Sequence, residues 1–354
     1  MAHRKLRRPV VAGGVLLAVM ALTVSFAYAT NDRAAPPGLV EASQSRTNLA
    51  TDGRPEEIPP PAPTAPTPKE PPVPPTSAPP SSAAPSTSGR PGGGVTAGST
   101  TTCPLPSYPS ADCTGVPAGT SLSAHSGDLE IGTANTVIDG LDIRGCVFVR
   151  APGVVIRRTR ITCPGGGVAS FADAYSGQGV VLEDVEISCG NVKGSSAVGD
   201  YNFTVRRANI HSCENGFDVD GRVTIEHSYI HDLVAFDPAS DPHSDGAQIT
   251  PVGRDINIVH NTIYAGDGTS AIISPTVSSG VVTNVLIKDN LMAGGAYTLY
   301  CQQDGSGNNY QVINNRFSTR FYPSVGAFGA WTECGDETQV NGNVIHETGQ
   351  PVPS

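Results

Sequence analysis

The stretch from Phe236 to Gln248 holds Asp237, Asp241, His243, Asp245 and Gln248, so three carboxylates, an imidazole and an amide lie close together in the chain. His243 is a candidate general base or acid, since an imidazole titrates near neutral pH. Asp241 and Asp245 are candidate acids, bases or Ca²⁺ ligands, because carboxylate oxygens serve all three purposes. Gln248 is a candidate hydrogen-bonding group for substrate. Asp-Pro and Ser-Asp-Gly also build turns, which accounts for part of this composition without chemistry. The histidine is not explained that way. A second pair, Asp218 and Asp220, stands two residues apart in Gly216-Phe217-Asp218-Val219-Asp220. Strand alternation turns both to one side of the chain, as it would on any solvated polar face.

Further candidates flank these two groups. His231 precedes Asp232 and leads into the long segment, while His211 occupies the equivalent place one repeat earlier and Tyr264 one repeat later. Such a column is as compatible with a packed ladder as with a site. Toward the C-terminus Tyr297, Tyr300, Gln302 and Asp304 offer sugar-stacking faces and hydrogen bonds. Tyr300 suits a core equally well, and Trp331 a cap.

What must position these residues is a short repeat in which two apolar residues stand five places apart. It occurs as Ile138/Ile143, Ile156/Ile161, Leu182/Ile187, Val205/Ile210, Ile225/Ile230, Ile258/Ile263, Ile287/Met292, Val312/Phe317 and Val340/Ile345. The first members are 18, 26, 23, 20, 33, 29, 25 and 28 residues apart. A loose period in the twenties, with β-branched residues and Gly, Asn and Asp turns, fits stacked β-strand coils. A leucine ladder and amphipathic helices are missing, which argues against leucine-rich repeats, and a propeller blade needs roughly forty residues. Glycine is expected at the sharp corners. The 33-residue interval contains the Phe236 to Gln248 segment, and long excursions on rigid scaffolds commonly carry function. Aligning Phe217 with Ala247 and Ala271 predicts Val219, Ile249 and Ile273 inward, with Asp218, Gln248, Asp220 and Thr250 outward.

Asn261, Asn290, Asn315 and Asn343 share the position three after the first apolar residue, so they should stack and hydrogen-bond along a ladder. The eight cysteines all lie in residues 103–354, and an even number in an exported chain reads as disulfides. Neighbouring coils about 4.8 Å apart are within disulfide reach. Offsets from the repeat predict Cys146–Cys163 and Cys189–Cys213 as rungs and Cys103–Cys113 as a local clip, which leaves Cys301–Cys334.

With this pattern and its Asn ladder, the chain from about Gly115 to Glu347 resembles the pectate lyase-like superfamily, in particular its exported actinobacterial members. The resemblance implies an all-β, single-stranded right-handed parallel β-helix, a solenoid of about nine coils. Lyases, hydrolases, epimerases, adhesins and tailspikes share that architecture, so fold alone does not choose a reaction. Asp241-Pro242-His243 is also similar to the Asp-Pro-His signature of mannuronan C5-epimerases, which use its Asp and His at the uronate. Here Pro238-Ala239-Ser240 stands where those enzymes carry a Tyr-Gly-apolar triplet.

Residues 1–29 combine a basic start, an apolar run from Val10 and Ala27-Tyr28-Ala29, the pattern of a cleavable export signal. If uncleaved, the run is long enough to anchor the chain in a membrane. Residues 30–102, rich in Pro, Ala, Ser and Thr, read as a disordered linker, and residues 103–354 as the β-helix domain. The expected location is extracellular, or tethered at the cell surface if the signal is kept, and the expected state is monomeric. The domain carries 13 Lys and Arg against 26 Asp and Glu, a formal charge of −13 within a chain of −10, which excludes nucleic acid as a partner. The expected partner is a polysaccharide. Elimination from a uronate or C5-epimerisation is the leading expectation, with His243 as base and Ca²⁺ as possible cofactor on Asp241 and Asp245. An inverting glycosidase using Asp218, Asp220, Asp241 and Asp245 suits a neutral glycan better, and a non-catalytic glycan-binding module would need only the sheet face and aromatics, leaving His243 as a turn residue. Gln248, Asp220, His231, Tyr297 and Gln302 are the expected substrate-binding residues.

Overall fold

The computed structural model describes residues 102–170, 177–234, 243–275, 279–302, 309–335 and 338–353. The signal and all of the linker but Thr102 lie outside these residues, as do Asp241 and Asp304. Regular structure among the described residues is entirely β. The repeat dictates how the strands meet, because β-branched residues favour extended backbone and each repeat buries its apolar pair only against the next.

Strands from Val137–Asp139 to Gln339–Asn341 form a nine-stranded parallel sheet. In it the first apolar residues of all nine repeats, Ile138 to Val340, are aligned partner to partner. The second apolar residues, Ile143 to Ile345, are aligned in the same way in a second parallel ladder. A third ladder runs from Leu129–Ile131 to Gly329–Thr332. The long strands Glu186–Gly199 and Asn209–Val219 pass through the second and third ladders and join them in one 17-stranded sheet. Long parallel sheets of this kind are consistent with a β-helix solenoid. Its core is the stack of inward residues, with Ile143, Ile156, Ile161, Leu182, Ile187, Ile210, Ile225 and Ile230 fully buried.

The corner after the first apolar residue differs from the glycine expectation. The residue two places on has a left-handed φ in all nine repeats: Gly140, Arg158, Asp184, Arg207, His227, His260, Asp289, Asn314 and Gly342, at 47° to 70°. Only two are glycine. The others accept a conformation disfavoured for side-chain-bearing residues because the paired strands on both sides impose it. Their side chains stack in a column on the outside, where Arg207 donates to Asp184 at 2.7 Å and the Nδ1 atoms of His227 and His260 lie 2.7 Å apart.

One residue further on, the Asn ladder turns the corner inward. Asn290 Nδ2 donates to Ile258 O and to Asn315 Oδ1, and its own Oδ1 accepts from Asn261 N and Nδ2, all at 2.8–3.0 Å. Asn315 and Asn343 repeat the arrangement. Ser228 extends it, its N–H donating to Asn261 Oδ1 at 2.9 Å. All four asparagines are buried, so each amide satisfies corner carbonyls and N–H groups that water does not reach.

The disulfides join Cys103–Cys113, Cys146–Cys163, Cys189–Cys213 and Cys301–Cys334, the last three with Cα separations of 4.9, 4.7 and 4.8 Å, one strand spacing. The Cys103–Cys113 clip leads a segment laid against the corner column. Ser107 O accepts from His260 Nε2 at 3.0 Å, and the Tyr108 ring packs against His260 and His346.

Asn290→Ala strands the Asn261 amide and the Ile258 carbonyl inside the wall, at about 1–3 kcal/mol per unsatisfied group. Urea unfolding should show a loss of about 3 kcal/mol, against less than about 0.5 kcal/mol for Asn341→Ala on the exposed sheet edge.

Candidate functional site

The third ladder places the carboxylates. Phe217 pairs with Ala247, Asp218 with Gln248 and Val219 with Ile249, so Val219 and Ile249 face inward and Asp218 and Gln248 outward. In the next repeat the register differs from the sequence alignment by one residue. Ala247 pairs with Ile272, not Ala271, and Gln248 pairs with Ile273. Ile272 is therefore fully buried and Ile273 only partly so, since a one-residue shift exchanges the two faces of a strand. The alignment is set at the strand start, where Asp245 pairs with Ser270. The outward column runs Asp218, Gln248, Ile273, Tyr300, Thr332.

Gly216 and Gly246 make the strand entrance possible. A Cβ on Gly246 would sit 2.2 Å from Ile263 Cγ2 and 2.5 Å from Ala271 O, and one on Gly216 would sit 2.4 Å from Gly246 O. Only glycine allows this close approach of backbone to the neighbouring ladder. On the other side of Asp218 stands Gly199, whose bare Cα leaves that flank open.

Three carboxylates gather at the end of this face. Asp200 is pushed up to about 7, first by burial and then by the charges of Asp218 and Asp220. Asp218 is also raised, mainly by burial, against hydrogen bonds from Ser196 and Asn215 that favour its charged form. Asp220 Oδ1 accepts the Thr250 hydroxyl at 2.6 Å. Asn215 ties the group together: its Nδ2 donates to Gln248 Oε1 at 2.9 Å and to Asp218 Oδ1 at 3.4 Å, while its Oδ1 accepts from Asp245 N at 3.0 Å. Among the described residues, no Lys or Arg forms an ion pair with Asp200, Asp218, Asp220 or Asp245. Four arginines are engaged elsewhere, Arg157 and Arg158 with Asp139, Arg206 with Glu226 and Arg207 with Glu183 and Asp184.

The remaining residues singled out in the sequence are distributed as follows. Asp245 shares the inward side of its strand with Ala247 and Ile249 and is fully buried. Ser270 Oγ donates to its Oδ1 at 2.5 Å, and its Oδ2 has no partner among the described residues. Burial pushes it up to about 7. His243 is exposed at the entrance to the same strand. Gln302 is buried and fully used as a brace, with Nε2 donating to Pro275 O and Gly280 O and Oε1 accepting from Val282 N. Tyr297 and Tyr300 meet edge to face at 5.6 Å, beside the exposed Phe328. His231 lies on the second ladder with His211 beside it. No three His, Cys, Asp or Glu side chains among the described residues are grouped to hold a metal ion. Of the two expected Ca²⁺ ligands, Asp245 is buried and Asp241 lies outside the described residues.

Sequence reasoning passed over Asp200 and Asn215. Asp200 follows a strand whose register shifts twice against its neighbour, so no repeat offset marks it. No family model, curated protein or solved structure matches this chain.

Asp245 titrates near 3.8 when exposed and near 7 in the fold. Its protonated form therefore favours the native state: that stability is fully present below about 3.8 and lost as pH rises through about 7. Asp245→Asn removes the dependence, so its urea midpoint should gain on that of the native chain between pH 4 and pH 8. Parallel curves for the two proteins would refute the neutral buried carboxyl.

Proposed function

We propose that this chain is an exported right-handed parallel β-helix of about nine coils, of the pectate lyase-like type, that hydrolyses a neutral polysaccharide with the Asp200, Asp218 and Asp220 carboxylates. Four disulfides support an extracellular setting. One observation carries the reaction: an Asp200 carboxyl at about 7 beside two further carboxylates on an outward face. That is the pairing of a protonated acid with a charged base that glycoside hydrolysis needs.

In this reading Asp200 gives its proton to the glycosidic oxygen as the bond from that oxygen to the anomeric carbon breaks. Asp220, oriented by the Thr250 hydroxyl, takes a proton from the water whose oxygen bonds to the anomeric carbon. Asp218, which accepts from Asn215 Nδ2, lines the same face beside the sugar ring. Gln248, held by Asn215, binds a sugar hydroxyl. That no cation among the described residues pairs with these carboxylates suits a neutral glycan, because a uronate would be repelled.

The test is incubation of the purified chain with neutral glycans and uronates, with and without Ca²⁺, following reducing ends and ultraviolet absorbance. New reducing ends without absorbance are expected. Asp200→Asn should lower kcat by about 10²- to 10⁴-fold, and activity of the native chain should fall as pH rises through about 7, where the acid loses its proton. His243→Ala should leave turnover intact. Unsaturated products or altered uronate stereochemistry, abolished by His243→Ala, would replace hydrolysis with elimination or epimerisation.

A further inference from the structure

The outward face of the second ladder carries a row of rings that the carboxylate site does not use. His211 and His231 are register partners with ring centroids 5.5 Å apart. Tyr229 stacks on His231 at 4.0 Å with planes 16° apart. Tyr264, in the next repeat, meets Tyr229 edge-on at 5.9 Å, and Phe321 meets Tyr264 at 5.7 Å. Phe321 is 40% exposed although it sits on this row. Five rings thus meet in succession, Tyr229 and His231 side by side on one strand and the others from neighbouring segments, with centroids 4.0 to 5.9 Å apart.

Polar groups border the row and are already arranged. His231 Nδ1 lies 2.7 Å from Asp232 Oδ2 and its Nε2 2.9 Å from Asn209 Oδ1. His211 Nδ1 lies 3.1 Å from Ser212 Oγ. At one end Arg160 donates to Glu186, and at the other the Arg320 guanidinium lies over the Tyr264 and Phe321 rings at 5.1 and 5.7 Å. Burial lowers His231 from its ordinary value, against the neighbouring Asp232 carboxylate, which favours the charged form.

We propose that this face is a second binding site, separate from the carboxylates, for a linear neutral polysaccharide lying along the stack. Sugar rings present apolar faces that pack on aromatic rings and hydroxyls that reach flanking polar groups. A row of rings on a rigid parallel wall offers such contacts repeatedly and in line. Arg160 is paired with Glu186, the Arg320 guanidinium lies over the Tyr264 and Phe321 rings, and the Asp232 carboxylate stands beside His231, so the face complements an uncharged chain better than a polyanion. A protein partner would need a broader continuous apolar area than one row supplies. The inference shares the polysaccharide of the proposed function but needs no catalysis, and its test reads binding alone.

The experiment is electrophoresis of the full chain through native gels containing xylan, glucomannan or mixed-linkage β-glucan, with polygalacturonate as the anionic comparison. Retardation by at least one neutral polymer is expected. Phe321→Ala and Tyr264→Ala should each weaken it about three- to tenfold, as loss of one stacking contact implies. Phe321 is exposed, so its variant should keep the native unfolding midpoint. Asp218→Asn should retain full retardation. The inference is overturned if no neutral polymer retards the chain, if only polygalacturonate does, or if Phe321→Ala and Tyr264→Ala bind as the native chain does. It is equally overturned if Asp218→Asn alone abolishes binding. Retardation lost in the aromatic variants, with no polymer ever cleaved, would sink the hydrolase reading and leave this one standing.

Discussion

Parallel hydrogen bonding between successive repeats, aligned residue for residue, is the constraint on which the molecule depends. It places equivalent residues of neighbouring repeats about 4.8 Å apart in continuous columns. Every column must then consist of side chains that tolerate their own kind above and below. Isoleucine and valine do so in the core, and asparagine does so at the inner corner because its amide is both donor and acceptor. Arginine alternates with aspartate on the outer corner, as in Arg158, Asp184 and Arg207.

The carboxylate cluster stands out against that arrangement. In its own column Asp218 is flanked by Gly199 and Gln248, which avoids like charge directly above or below. Yet Asp200 and Asp220 approach from the strand ends, with no paired cation among the described residues. Burial and mutual repulsion then hold Asp200 partly protonated at neutral pH. Departures from local consistency of this kind concentrate at functional sites. Asp245 is a different case: it lies on the inward side and meets Ser270 and the Asn215 carbonyl, so its perturbed carboxyl belongs to the wall behind the site.

The left-handed corner shows how strongly the stack overrides local preference. Arginine, histidine and aspartate occupy a conformation usual for glycine because the strands before and after are paired on both sides. The same corner column receives the N-terminal segment through His260 and Tyr108, which ties the start of the domain to repeats far along the chain.

Much of this was legible in the residues themselves. The five-residue spacing of apolar pairs repeats nine times, and a strand period of two leaves only one alignment that buries both members, so the repeat register, the Asn ladder and the cysteine pairs follow from spacing. His211 beside His231 follows in the same way. Where the repeat lapses, spacing carries no information. Ile272 and not Ile273 points inward because Asp245 meets Ser270, a contact between residues of different repeats that no periodicity announces. Asp200 joins Asp218 and Asp220 only through irregular strand ends, and Gln302 and Asp245 turn to the interior, where backbone and hydroxyl partners await them. Chain spacing determined which residues share a column; the side chain's surroundings, set by burial and by neighbours from other repeats, decided which of them could do chemistry.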